Sequence, residues 1–130
     1  MKPDKSQHRK FSIGKRLSSF RFAFNGMRHA LVHEHNFRIH LIAAVSVIAA
    51  GFYFDLQKSD WLFLVFAIGF VLVAELFNSA IELLADFISP GRNEMIGKLK
   101  DIAAGAVLIA VITSVIAGVL IFWPYIAKIL

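Results

Sequence analysis

Three long apolar runs set the pattern of the chain, preceded by a stretch that is apolar on one side only. Residues 39–54 (IHLIAAVSVIAAGFYF) form the first run. As a helix rising about 1.5 Å per residue it covers roughly 24 Å, slightly short of a ~30 Å hydrocarbon core; bilayer thinning or flanking residues would close the gap. Residues 61–85 (WLFLVFAIGFVLVAELFNSAIELLA) and 103–123 (AAGAVLIAVITSVIAGVLIFW) form the second and third runs, each long enough to span. Trp61, Trp123 and Tyr125 fall at the edges of these runs, where amphipathic rings favour the membrane interface. The third run is dense in small residues, among them Ala103, Ala104, Gly105, Ala106, Ala110, Ser114, Ala117 and Gly118. They permit close helix approach, the alternative being lipid-facing filler. Upstream, Leu17, Phe20, Phe24, Met27 and Leu31 recur at three- and four-residue steps and share one helical face flanked by Arg16, Arg21 and Arg28. That pattern predicts an amphipathic helix over 11–31 lying on anionic head groups; packing on protein is the alternative. The expected fold is all-α: three membrane spans and one surface helix. Residues 1–10 read as a disordered basic tail and 11–130 as a single membrane domain, and no internal repeat is visible.

Composition agrees with the pattern. At 58% hydrophobic, 18% charged and 13 Phe in 130 residues, a soluble domain could not bury its apolar side chains. The chain has no cysteine, which removes disulfides, thiol nucleophiles and Cys-bound metals. The 38 polar, basic residues before the first run are too long for an ordinary signal-peptide n-region, so no cleavable signal is expected. Nine of the 14 Lys/Arg residues precede residue 39: Lys2, Lys5, Arg9, Lys10, Lys15, Arg16, Arg21, Arg28 and Arg38. The 55–60 loop holds only Lys58, the 86–102 loop holds Arg92, Lys98 and Lys100, and Lys128 alone follows the last run. The positive-inside bias then places the N-terminus and the second loop in the cytoplasm. Beside three spans, the basic N-terminus reads as topology and lipid attraction, with no nucleic-acid partner.

The second run breaks the apolar pattern in one place, AELFNSAIELLAD. At about 100° per residue, Glu75, Asn78, Glu82 and Asp86 fall near 0°, −60°, −20° and +20°, and Ser79 near +40°, so every polar group shares one narrow face. Measured from Trp61, Glu82 lies about 31 Å along the helix, near the inner interface, and Glu75 about 21 Å, two turns deeper. An ionised carboxylate in the core costs at least ~2.5–3.5 kcal/mol, so Glu75 must be neutral, paired, or reached by water or substrate. That makes it a candidate general base. The plainer reading is a structural carboxylate paired with Asn, Ser or Arg. Glu34, just before the first run, and Lys100-Asp101, just before the third, meet the same inner level. Clustered carboxylates suit a bridging cation, and oxygen-only ligands suit Mg²⁺ carried on nucleotide phosphates. A lysine near a helix start suits phosphate oxygens. Together these features suggest phosphoryl transfer to a group at head-group level. Two other signals fail. GRNEMIGKL has five residues between its glycines and Leu99 after the lysine, so it is no Walker motif. His29, His33 and His40 share a face but lack the HExxH spacing of a zinc site.

ELFNSAIELLAD followed by GKLKDIAAGAVLIA, with NGMRHALVHEHNFRIH upstream, resembles the signature of the prokaryotic diacylglycerol kinases and their undecaprenol-kinase relatives. The match covers roughly residues 11–123. It implies a homotrimer in the bacterial cytoplasmic membrane, with sites shared between subunits, that uses ATP and Mg²⁺ to phosphorylate a lipid alcohol. It makes Glu75 the general base on the lipid hydroxyl and Glu34 and Glu82 the holders of Mg²⁺. Asn78, Lys100 and Asp101 would position phosphates or the base, with Ser79 and Asp86 in support. Lys15 and Phe22 match a basic and an aromatic nucleotide contact, and Gly91, Arg92 and Asn93 match the nucleotide-side loop. Asn93-Glu94 departs from the family, in which many members have His at the first position. NFRIH resembles the undecaprenol-kinase branch more than the diacylglycerol branch, so undecaprenol is the favoured acceptor and diacylglycerol the alternative. An ion channel or proton pathway and a purely structural subunit are the competing classes; the first lacks a polar track through the outer half of the second run.

Overall fold

The computed structural model describes residues 13–130 and consists of four helices. The expected tail over 1–10 lies outside the described residues. Helix α1 spans Ile13–His33, α2 His35–Tyr53, α3 Lys58–Ile88 and α4 Glu94–Ile126. The last three are long and apolar enough to cross a membrane. At about 1.5 Å per residue α3 and α4 each exceed the ~30 Å core by 15 Å or more. Part of each helix therefore projects beyond the hydrocarbon. Apolar runs mark only the lipid-immersed segment, which is why the helices outlast the predicted spans and the second loop shrinks to residues 89–93.

Each helix boundary has a local cause. Glu34 alone separates α1 from α2, in an extended conformation (φ −99°, ψ 114°). The Arg38 side chain crosses that break, donating to the Val32 carbonyl at 3.1 Å. Asp55 turns the chain after α2 with a left-handed φ of 51°, a conformation Asp tolerates better than most residues. Asn93 caps α4, its Oδ1 accepting from the backbone N–H of Met95 at 2.9 Å and of Ile96 at 3.3 Å. This cap starts α4 nine residues before the apolar run. Lys100 consequently sits well inside α4, not near its start as expected.

Helices α3 and α4 form the main pair. Small side chains bring them together: Ala103 and Ala110 are buried, and the Ser114 hydroxyl donates to the Ala67 carbonyl at 3.0 Å. Ala104 and Ala106 face outward, so the small-residue run serves packing on one side only. At the end with the α2–α3 turn, termed outer after the topology expected from the charges, Leu56, Leu64 and Ile121 form a core closed by Phe54, Trp61 and Phe122. Gly51 leaves room for Trp61; a Cβ there would lie 2.8 Å from the ring. On α1, Ala30 is buried, whereas Leu17, Phe20, Phe24, Met27 and Leu31 are exposed.

Candidate active site

The polar face of α3 turns inward. Glu75, Asn78 and Ser79 are all buried, Glu75 at 2% exposure, while Phe77 and Leu84 on the other sides stay exposed. Glu82 is half-buried one turn beyond Asn78, and Asp86 is exposed near the helix end. The Asn78 amide donates to Glu82 Oε1 at 2.8 Å. The Ser79 hydroxyl donates to the Glu75 carbonyl at 3.0 Å and is therefore committed to the backbone. Two buried oxygens, Glu75 Oε1 and Asn78 Oδ1, have no hydrogen-bond partner. Buried polar atoms are nearly always satisfied, so two orphans side by side call for a ligand, a water or a moving proton.

The ionisable side chains whose fields reach Glu75 are His40, Glu82 and Glu34. The His40 ring approaches it from α2, Nε2 lying 3.5 Å from Oε1. Glu34 stands at the N-cap position of α2, yet its carboxylate makes no capping hydrogen bond. Lys100 on α4 forms an ion pair with Asp86 on α3, closing the inner ends of the two helices together.

The fold thus gathers Glu75, Asn78 and Glu82 along one face of α3, sets His40 beside Glu75, leaves Glu34 at the α1–α2 break and ties Lys100 to Asp86. Asp101 is exposed on α4, Phe22 is exposed on α1, and Gly91, Arg92 and Asn93 occupy the exposed α3–α4 loop. The Lys15 side chain lies outside the described residues. Asn93 lies in that loop as expected, and its side-chain oxygen also caps α4. His40, weighed in the sequence only as a zinc ligand and set aside, meets the site here. Its one signal in the sequence was an ionisable ring at the second position of an apolar run, where such a group needs a partner.

The family model for prokaryotic diacylglycerol kinase matches residues 21–122. The chain belongs to that family. Its relatives include an undecaprenol kinase of Bacillus subtilis, 35% identical over 121 residues that make up 93% of this chain and 98% of the relative. A diacylglycerol kinase of Synechocystis is 37% identical over 83% of this chain and 62% of its own length. That of Escherichia coli K12 is 30% identical over 80% of this chain and 85% of its own. As a member of the diacylglycerol kinase family the protein is an ATP-dependent lipid kinase of multi-pass membrane topology.

The family implies Mg²⁺ with its ATP. Among the described residues no three His, Cys, Asp or Glu side chains group closely enough to hold a metal unaided. Glu34 and Glu82 are the two carboxylates whose fields reach Glu75, and the first has no capping duty. A hard cation that keeps phosphate oxygens and waters needs only one or two protein carboxylates, so the donor set fits.

Proposed function

We propose that this kinase moves the γ-phosphoryl group of ATP onto the hydroxyl of diacylglycerol at the cytoplasmic face of a bacterial inner membrane. The observation carrying this reading is the Glu75 carboxylate, 2% exposed within a span, with Oε1 unpartnered. Glu75 accepts the proton of the lipid hydroxyl as that oxygen bonds to the γ-phosphorus; the bond to the β-phosphate oxygen breaks and ADP leaves. Glu34 and Glu82 would hold Mg²⁺, which when bound offsets phosphate charge. Asn78 holds Glu82 in place, Ser79 secures the backbone beneath, Lys100 meets the phosphates and Asp101 helps position the phosphates or the base, with Asp86 keeping Lys100 at the site. Phe22, Gly91, Arg92 and Asn93, together with Lys15, face the nucleotide from the cytosolic side. Residues 11–130 act as one kinase domain, oriented N-terminus inward by its basic residues. The exposed stripe of α1 lies on the membrane surface, and three copies share the sites, which suits a chain too small to build a complete pocket alone.

Undecaprenol is the second reading. The NFRIH stretch and the near end-to-end match to the Bacillus subtilis undecaprenol kinase favour it. The diacylglycerol kinases among the relatives weigh more, spanning several organisms and the family model itself. An ion pathway has no support from α3, whose outer half buries Leu64 and Val71 and offers no polar track.

The test is purified protein in mixed micelles with labelled ATP, Mg²⁺ and a panel of lipid alcohols. Label should enter diacylglycerol faster than undecaprenol. Glu75→Gln should lower the rate by about 10²–10⁴-fold, the range for a lost general base. Full activity of that variant would remove Glu75 as base, and a faster reaction with undecaprenol would reverse the order of acceptors.

A further inference from the structure

We propose that His40 is a positioning residue for the phosphoryl transfer: its Nε2–H holds Glu75 Oε1 and leaves Oε2 to take the lipid proton. The inference rests on Glu75 being the base. It starts from the buried Glu75 carboxylate, whose Oε1 receives no hydrogen bond. Among the described residues the basic side chain beside it is His40, with Nε2 at 3.5 Å. That separation is long for a hydrogen bond, as resting catalytic contacts often are before substrate tightens them. The two groups come from different helices, so their meeting is a product of packing and not of helical periodicity.

The surroundings give His40 this task. Its side chain is 20% exposed against 2% for Glu75, so it stands between the base and the space outside. It lines the inner end of an apolar groove of about 750 Å³ bounded by α2, α3 and α4. Two hydroxyl side chains also line that groove, Ser46 and Ser114, and Trp123 lies at its far end. Both hydroxyls are committed to backbone carbonyls, Ser46 to Ile42 at 2.9 Å and Ser114 to Ala67 at 3.0 Å. His40 is therefore the uncommitted polar group at the rim, and it faces the carboxylate. A carboxylate in an apolar site can rotate about its last bond; a fixed donor on one oxygen removes that freedom and aims the other. Glutamine offers a donor at the reach of Nε2, whereas asparagine, one carbon shorter, does not.

The experiment compares His40→Leu, His40→Gln and His40→Asn with Glu75→Gln in the micelle assay, measuring kcat and both KM values. His40→Leu should lower kcat about 10- to 100-fold, as loss of an orienting partner does, with both KM values near wild type. His40→Gln should recover most of the rate and His40→Asn little of it. In the Glu75→Gln background, His40→Leu should cause no further loss, because nothing remains to be aimed. If the leucine variant does not fold, the Gln and Asn pair decides. Wild-type kcat in His40→Leu, or equal rates for Gln and Asn, with Glu75→Gln inactive, overturns the role of His40 and leaves the base standing. An active Glu75→Gln overturns both.

Discussion

The two ends of the α2–α3–α4 bundle use polar groups in opposite ways. At the outer end the polar groups that meet between helices pair with one another. The Tyr125 hydroxyl accepts from the Gln57 backbone N–H at 3.1 Å and donates to Asp60 Oδ2 at 2.5 Å, above a core of Leu56, Leu64 and Ile121. At the inner end Glu75 Oε1 and Asn78 Oδ1 stay unpaired although buried, and Glu34 leaves its helix uncapped. The outer end is arranged for stability. The inner end forgoes stabilisation that a simple hydrogen bond would bring, and unmet hydrogen-bonding capacity is what a nucleotide, a cation and a lipid hydroxyl can use.

Substitutions at the two ends should separate these roles. Glu82→Ala has the largest expected effect after loss of the base. It removes one carboxylate and strands the Asn78 amide, so activity should fall about 10- to 100-fold and more Mg²⁺ should be needed for half-maximal rate. A Mg²⁺ titration of the variant checks this, and an unchanged curve would separate Glu82 from the cation. Gly51→Ala acts on the outer end. Its Cβ would press on the Trp61 ring at 2.8 Å and on Leu56 at 3.1 Å, a misfit that costs about 1–3 kcal/mol. Thermal unfolding in micelles should record the loss while kcat of the folded protein stays at the wild-type value. Tyr125→Phe is the smallest change: it removes the link between Gln57 and Asp60, and the unfolding midpoint should drop by about 2–4 °C with kinetics untouched. A fall in kcat from either outer variant would break the division of labour.

Much of the inner site was legible because it lies along one helix. Glu75, Asn78, Ser79, Glu82 and Asp86 share a face by spacing alone; packing turns Glu75, Asn78 and Ser79 inward, half-buries Glu82 and leaves Asp86 exposed. The chemistry of Glu34 was legible as a carboxylate at the edge of an apolar run. Asn93 was less legible: as a loop residue it suggested a ligand contact, while its cap on α4 depends on where that helix begins. His40 and the Lys100–Asp86 pair were illegible as contacts, since each joins residues on different helices.

Hydropathy and periodicity are properties of neighbouring residues. The chain by itself therefore determined three spanning helices, a one-sided helix ahead of them, and a narrow polar face on α3. Which groups meet across helices is set by how rigid rods pack, through Ala103, Ala110 and Ser114 on one side of α4 and the single-residue break at Glu34. Packing alone put His40 beside Glu75, Lys100 against Asp86 and Tyr125 over Asp60, because a distance between two helices is written in the shape of their contact and not in the order of their residues.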